Sequence, residues 1–153
     1  MDLTRPTLYL LRGLPGAGKT SLANALAPEK GLFAADDYFT SPEGEYDFRP
    51  AELGEAHAQC QKRTAAALAA GEQHIAVHNT FTQRWELEPY LDMLVGFPHY
   101  DVVVVDLYDG GKTDAELCDR NSHGVPIASI EAMRARWEHD WKAGNPTPPW
   151  ERG

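Results

Sequence analysis

The stretch Arg12–Leu26, "RGLPGAGKTSLANAL", decides how this chain is read. Within it, residues 13–20, "GLPGAGKT", fit the pattern G-x-x-x-x-G-K-[ST] at every fixed position. Gly13, Gly16 and Gly18 permit backbone torsions and close approaches that side chains forbid. With Leu14, Pro15 and Ala17 between them, the main-chain N–H groups of such a loop turn inward around phosphate oxygens. The helix that follows presents its positive end to the same point. Lys19 is placed to bridge the outer phosphates. The Thr20 hydroxyl is placed to meet Mg²⁺, with Ser21 beside it in the first helical turn. The pattern points to a nucleoside triphosphate. It is silent on whether the phosphoryl group is moved to an acceptor, cut off by water or merely held.

The flanks supply the context such a loop needs. Residues 7–12, "TLYLLR", form an apolar run bounded by Pro6 and Gly13, which predicts a buried strand. Thr20 to Ala27 predicts a helix, with Leu22, Ala23 and Leu26 at helical spacing and Pro28 closing it. "LFAADDYF" (32–39) predicts a second strand running into a loop, and residues 40–49 a turn-rich, mobile segment. Pro50 to Ala70 predicts a long helix, with proline in its first turn and Gly71 at its stop. "HIAVH" (74–78) is a third strand, 84–95 a helix, and "DVVVVDL" (101–107) a β-branched strand expected to be covered on both faces. "TDAE" (113–116) is a capping box, and a last helix is expected from about Ile127 to Trp141. Strands alternating with helices imply a parallel sheet. The expected class is α/β, a three-layer P-loop fold with four to five parallel strands and helices on both faces. One domain is expected over residues 1–143, followed by a Pro-rich tail, 144–153, draped on the surface.

Composition narrows the function. The chain has 153 residues, enough for one domain with a real core, and 42% of them are hydrophobic. The opening "MDLTRPT" is polar, and no apolar run approaches the roughly 20 residues that cross a bilayer. Cys60 and Cys118 have neither disulfide-framework nor zinc spacing, so a reducing cytoplasm is expected. A net charge of −9 excludes a broad basic face for duplex DNA and leaves room only for a small, local nucleic-acid contact.

"DDYF" (36–39) follows the second strand at the end where ligands bind in such sheets. A carboxylate there, Asp36 or Asp37, can take the proton from an acceptor hydroxyl as it attacks the γ-phosphate. With "GLPGAGKTSLA", "ADDYF", "AHAQC", "VHNTFTQRWELEPY" and "RNSHGVP" in this order, the chain resembles the polynucleotide-kinase-type P-loop kinases. That group includes the kinase domain of Nedd4-binding protein 2 and small phage kinases. The resemblance extends from about residue 8 to 137. It implies ATP and Mg²⁺ as donor and cofactor, Asp36 as general base, and Lys19 and Thr20 in phosphate-loop roles. It also implies Arg120 as a lid arginine over the triphosphate, where a guanidinium neutralises charge on the transferring group.

The acceptor half departs from that group. Its phage members carry an arginine directly after "DDY", where this chain has Phe39. They carry an aspartate after strand three, where it has Asn79, and a further lid arginine that has no counterpart around Ser122, His123 and Gly124. Phe39 offers a stacking face and Asn79 an amide for a base edge, so Asp37, Phe39 and Asn79 are the expected acceptor-binding residues. The favoured acceptor is a nucleic-acid hydroxyl, either a 5′ end or a hydroxymethylated pyrimidine such as 5-hydroxymethyluracil within DNA. A small-molecule or nucleoside kinase, or an ATP-binding module without transfer, are the alternatives. For His78, Arg84 and His123 a solvated or structural role is favoured over the acceptor cleft. His57 and Cys60 are expected in the core, and Trp85, Trp137 and Trp141 as packing residues. Asp106, at the end of "VVVVD", invites a metal role that its spacing does not demand.

Overall fold

The computed structural model describes residues 5–139, so the expected tail and Trp141 lie outside the described residues. Four parallel strands form one sheet in the order β2-β3-β1-β4, with β1 spanning Thr7–Gly13, β2 Leu32–Phe33, β3 His74–Asn79 and β4 Asp101–Tyr108. Alternation along β1 sets the layers. Leu8 and Leu10 pair in register with Ile75 and Val77 of β3, and all four point to one face. There they meet Leu68 of α2 (Leu53–Ala69) and Leu87 and Tyr90 of α3 (Arg84–Met93). Leu11 and Ala76 face the other way, against Ala23 and Ala27 at α1 (Lys19–Leu26). Leu8, Leu10 and Ile75 are fully buried, each burial of this kind contributing about 1.5–3 kcal/mol. Two further helices, α4 (Asp114–Arg120) and α5 (Ile127–Ala135), pack on each other, and Leu117 and Ile130 join Leu14, Ala17 and Trp137 beneath the phosphate loop. The capping box at Thr113 and Glu116 starts α4 as its sequence predicts.

Several elements differ from expectation, among them the last helix, expected to reach Trp141, which ends at Ala135. The second strand ends at Phe33, and Ala35–Phe39 winds into a 3₁₀ turn held by Asp37, whose carboxylate accepts the Ala34 N–H at 3.0 Å. The long helix opens with a separate 3₁₀ turn, Pro50–Glu52. Residues 40–49 fold back on themselves, with a Thr40–Tyr46 bridge and the Asp47 N–H donating to Phe39 O at 2.9 Å. Finally, β4 is not covered on both faces. It is an edge strand, and α1, α2 and α3 pack over β1 and β3, so Val102, Val103 and Val104 remain 41%, 42% and 40% exposed. A β-branched run specifies a strand; it does not specify who stands beside it.

Candidate active site

The phosphate loop leaves β1 at Gly13 and enters α1 at Lys19. Gly16 and Gly18 have φ of +85° and +107°, the left-handed region that glycine adopts without strain. A Cβ on Gly16 would stand 2.6 Å from Leu117 O of α4, so the loop and α4 touch backbone to side. Lys19 folds over the loop, its Nζ donating to Gly13 O at 2.7 Å and Leu14 O at 3.1 Å. Burial pushes its ammonium down to about 8, while the charge of Asp36 acts the other way. Arg120 reaches back from the last turn of α4, its Nε donating to Gly16 O at 3.2 Å. Thr20 and Ser21 lie exposed on the first turn of α1.

Asp36 stands across the same cleft, on the 3₁₀ turn after β2. Tyr46 donates to Oδ1 at 2.8 Å and His123 Nδ1 lies 3.2 Å from Oδ2. Burial alone would raise this carboxyl. The hydrogen bonds from His123 and Tyr46, with the charges of His123 and Lys19, outweigh it and hold Asp36 below the usual carboxylate value. His123 moves up, chiefly through its bond to Asp36, and His78, on the cleft wall, moves down through burial. The structure thus brings Lys19, Thr20, Ser21, Arg120, Asp36, Asp37 and Asn79 to one cleft.

Phe39 does not belong to it. The 3₁₀ turn rotates its ring inward, where it is 3% exposed and packs edge-on to Tyr38 and Phe48, each at 5.1 Å. The expected stacking face is therefore core. Asn79 lines the cleft, but its amide is committed: Oδ1 accepts the Ala35 N–H at 2.8 Å and Nδ2 points at Cys60 Sγ, 3.7 Å away. Its observed role is to fix the turn that carries Asp36, not to present an amide to a base. Asp37 is likewise engaged, with Arg63 at 3.1 Å besides Ala34. Asp106 pairs with the buried Arg12 at 2.9 Å.

The rings that line the cleft are Tyr46, Phe48, His57, His78 and His123. His57 is thus on the cleft and not in the core, whereas Cys60 is buried. Tyr46, from the turn-rich loop, and His78 and His123, for which the sequence favours a solvated or structural role, thus face the site. Arg136 also lines the cleft and donates from Nε to Thr82 Oγ1 at 3.2 Å, a cation that the motif comparison did not supply. Arg84 is half exposed beside Glu88. Trp137 packs as expected, at 1% exposure, but Trp85 is 64% exposed and packs against little.

The loop turns through left-handed torsions at Gly16 and Gly18, and its lysine is free to exchange two carbonyls for phosphate oxygens, so the residues fit a nucleoside triphosphate. Among the described residues no group of three or more His, Cys, Asp or Glu could hold a metal by itself. A cation here would rest on Thr20 and on substrate phosphates, as Mg²⁺ commonly does. Gly16→Ala tests the cradle. Left-handed strain of about 1–3 kcal/mol, with the clash at Leu117 O, is expected to weaken fluorescent-nucleotide binding by at least about tenfold. Gly44→Ala, at φ +86° with open space around it, carries the strain without the clash and leaves binding unchanged. Unchanged affinity in Gly16→Ala would show that neither the left-handed torsion nor the contact with α4 matters.

A loop of main-chain amides beside a lysine, with a carboxylate across the cleft, is the arrangement by which P-loop kinases move a phosphoryl group to an alcohol. The chain belongs to the AAA domain family AAA_33, which it matches over residues 8–139. It is 37% identical over 135 residues to NEDD4-binding protein 2 of Homo sapiens, a match that covers 86% of this chain and 8% of that protein. Its fold is shared with a chain in the structure of the Pnkp1/Rnl/Hen1 RNA repair complex, at a TM-score of 0.60 and 18% identity, over 84% of this chain and 43% of that one. A gluconokinase from Sinorhizobium meliloti 1021 shares it at a TM-score of 0.53 and 16% identity, over 87% and 75%. These matches are in keeping with the resemblance to polynucleotide-kinase-type P-loop kinases carried by the sequence motifs. No helix among the described residues is long and apolar enough to cross a membrane.

Proposed function

We propose that this protein transfers the γ-phosphoryl group of ATP to a hydroxyl on a nucleic acid, either a 5′ end or a hydroxymethylated pyrimidine within a strand. One observation carries the reading: Asp36 shares its cleft with Lys19 and Arg120 on the donor side and with Tyr46, Phe48 and His123 on the acceptor side. The acceptor oxygen lies against Asp36, which takes its proton as the O–P bond forms. Lys19, Arg120 and the loop amides hold the charge spread over the transferring group, and the β–γ bridging oxygen leaves with ADP. The Thr20 hydroxyl would hold Mg²⁺, which would supply further neutralisation of the phosphates. Aromatic faces on the acceptor wall suit bases, since every base has a π-face to stack. The relationship to NEDD4-binding protein 2 supports the kinase chemistry, and the RNA-repair setting of the Pnkp1 chain is in keeping with a polymer acceptor.

A second reading, a small-molecule or nucleoside kinase, is favoured by the chain's net charge of −9. Incubation with γ-labelled ATP, Mg²⁺ and a panel of acceptors separates the two. The panel holds single- and double-stranded 5′-hydroxyl DNA and RNA, DNA containing hydroxymethyluracil, free nucleosides and sugars. Label on a polymer terminus or internal base is the expected result. Label only on free nucleosides or sugars would establish the second reading, and no label anywhere would leave an ATP-binding module.

A further inference from the structure

We infer that His123 is the second station of a proton relay: the proton of the acceptor hydroxyl passes to Asp36 and from its Oδ2 to His123 Nδ1, and leaves through the exposed ring. The inference rests on the proposed kinase reading. Its physical basis is the way this chain aims one imidazole at one carboxylate. Asn121 builds the loop that carries His123. Its Nδ2 donates to Cys118 O at 2.9 Å and Val125 O at 3.1 Å, and its Oδ1 accepts the Val125 N–H at 2.8 Å, closing the turn on itself. Gly124, at φ +69°, allows the chain to double back there. The ring emerges stacked on Tyr46, with centroids 4.1 Å apart and planes 23° from parallel. Tyr46 in turn occupies Oδ1 of Asp36 at 2.8 Å, so the carboxylate is fixed from both sides and Oδ2 is directed at Nδ1, 3.2 Å away.

Exposure separates the parts. The side chains of Asp36 and His123 are 46% and 35% exposed, so an acceptor can reach the first and water the second. Facing the ring are Asp36 and Asp37 from the turn after β2, Lys19 from α1, His78 from β3 and Tyr46 from the loop before α2, with Arg120 at the end of the helix that precedes it. The atoms balance. The hydroxyl O–H bond breaks as the O–P bond forms, the electron pair of the β–γ bond goes to ADP, and the proton moves from oxygen to Asp36 to imidazole, which releases it to water. Neutral His123 with its proton on Nε2 is therefore the working form: Nδ1 then has the lone pair that takes the proton from Asp36 and Nε2–H releases one to water, whereas an imidazolium cannot accept a proton and holds Asp36 as an ion pair. The acid limb of kcat/KM then belongs to the Asp36–His123 pair rather than to a lone carboxyl.

The test has two parts on the full chain. In the first, pH profiles of kcat/KM are compared for wild type and His123→Asn, whose amide can still donate to Asp36 but cannot titrate. The wild-type limb is expected in the histidine range and that of the variant more than about one pH unit lower, toward the carboxylate range, with kcat reduced roughly tenfold at pH 8 and nucleotide affinity unchanged. An unchanged limb would overturn the relay, as would a higher kcat in His123→Ala, which would make the ring an obstruction. In the second, the imidazole is titrated by NMR in the nucleotide-free protein. His123 is expected to titrate above the ordinary value of about 6.5 and to fall toward it in Asp36→Asn. No change there would overturn the pair even if transfer occurs. Absence of transfer to any acceptor, with the NMR shift intact, would overturn the kinase reading and the relay with it.

Discussion

Asp36→Asn is expected to reduce phosphoryl transfer by about a hundredfold to ten-thousandfold, the usual worth of a positioned general base, while nucleotide binding at pH 7 stays within about twofold. The substitution is nearly isosteric. The amide oxygen still accepts from Tyr46 or His123, so the 3₁₀ turn keeps its shape through Asn79 and Asp37, which pin Ala35 and Ala34 from outside the reacting group. The basic lone pair directed at the acceptor is lost. Binding has a subtler dependence. Burial already brings Lys19 down to about 8, and Asp36 is the charge that opposes that fall. Neutralising Asp36 lowers the lysine further, so nucleotide affinity in the variant should weaken at lower pH than in wild type as the solution is made more alkaline. Single-turnover transfer from γ-labelled ATP and titration with a fluorescent nucleotide over pH 6.5–8.5 measure the two effects separately. Transfer within tenfold of wild type would remove Asp36 from the base role and turn attention to Asp37 or His78 on the same wall.

The donor half of this site is legible in the sequence because contiguous residues build it. The glycines, Lys19 and Thr20 lie within one turn and one helical start, and local rules for loops and helix ends fix their geometry. The acceptor half is assembled by tertiary contact. Asp36, Tyr46 and His123 come from three separate loops, and no periodicity links them. Phe39 was misplaced for a related reason. A strand running into an irregular loop would leave the ring free, whereas two residues of strand followed by a 3₁₀ turn bury it against Ala56. The composition of "LFAADDYF" does not distinguish these, because the turn depends on a hydrogen bond that the Asp37 carboxylate accepts from the Ala34 N–H and on the amide of Asn79, which is distant in sequence. The edge position of β4 is a property of strand order, which a strand's own sequence does not encode.

Arg12→Met is expected to cost about 3–5 kcal/mol of folding stability, the range for breaking one side of a buried charged network. Arg12 closes β1, and its side chain is fully buried. Its Nε donates to Phe81 O at 3.0 Å, Nη1 to Asp106 at 2.9 Å and Glu138 O at 2.9 Å, and Nη2 to Thr82 O at 3.1 Å. The guanidinium plane lies 4.0 Å from the ring centre of Trp137. Burial pushes it down to about 10, against the pull of Asp106, so it stays charged at neutral pH. One planar fork thus joins the end of β1, the turn after β3, the carboxylate of β4 and the chain after α5, a geometry that the point charge of lysine does not reproduce. Methionine fills similar space and donates nothing. Three carbonyls then lose a partner, at about 1–3 kcal/mol for each one that water cannot reach. Asp106→Asn is the milder lesion, because its side chain is 28% exposed and water screens what remains. Urea unfolding with a common slope for all three proteins measures the differences. A loss under about 1 kcal/mol for Arg12→Met would mean that water or a shifted backbone satisfies these carbonyls as well as the guanidinium does. A loss in the expected range, with residual folded protein that binds nucleotide more weakly, would tie this cluster to the loop, because Gly13 follows Arg12 directly and its N–H is held by Thr80 O at 3.2 Å in the same turn.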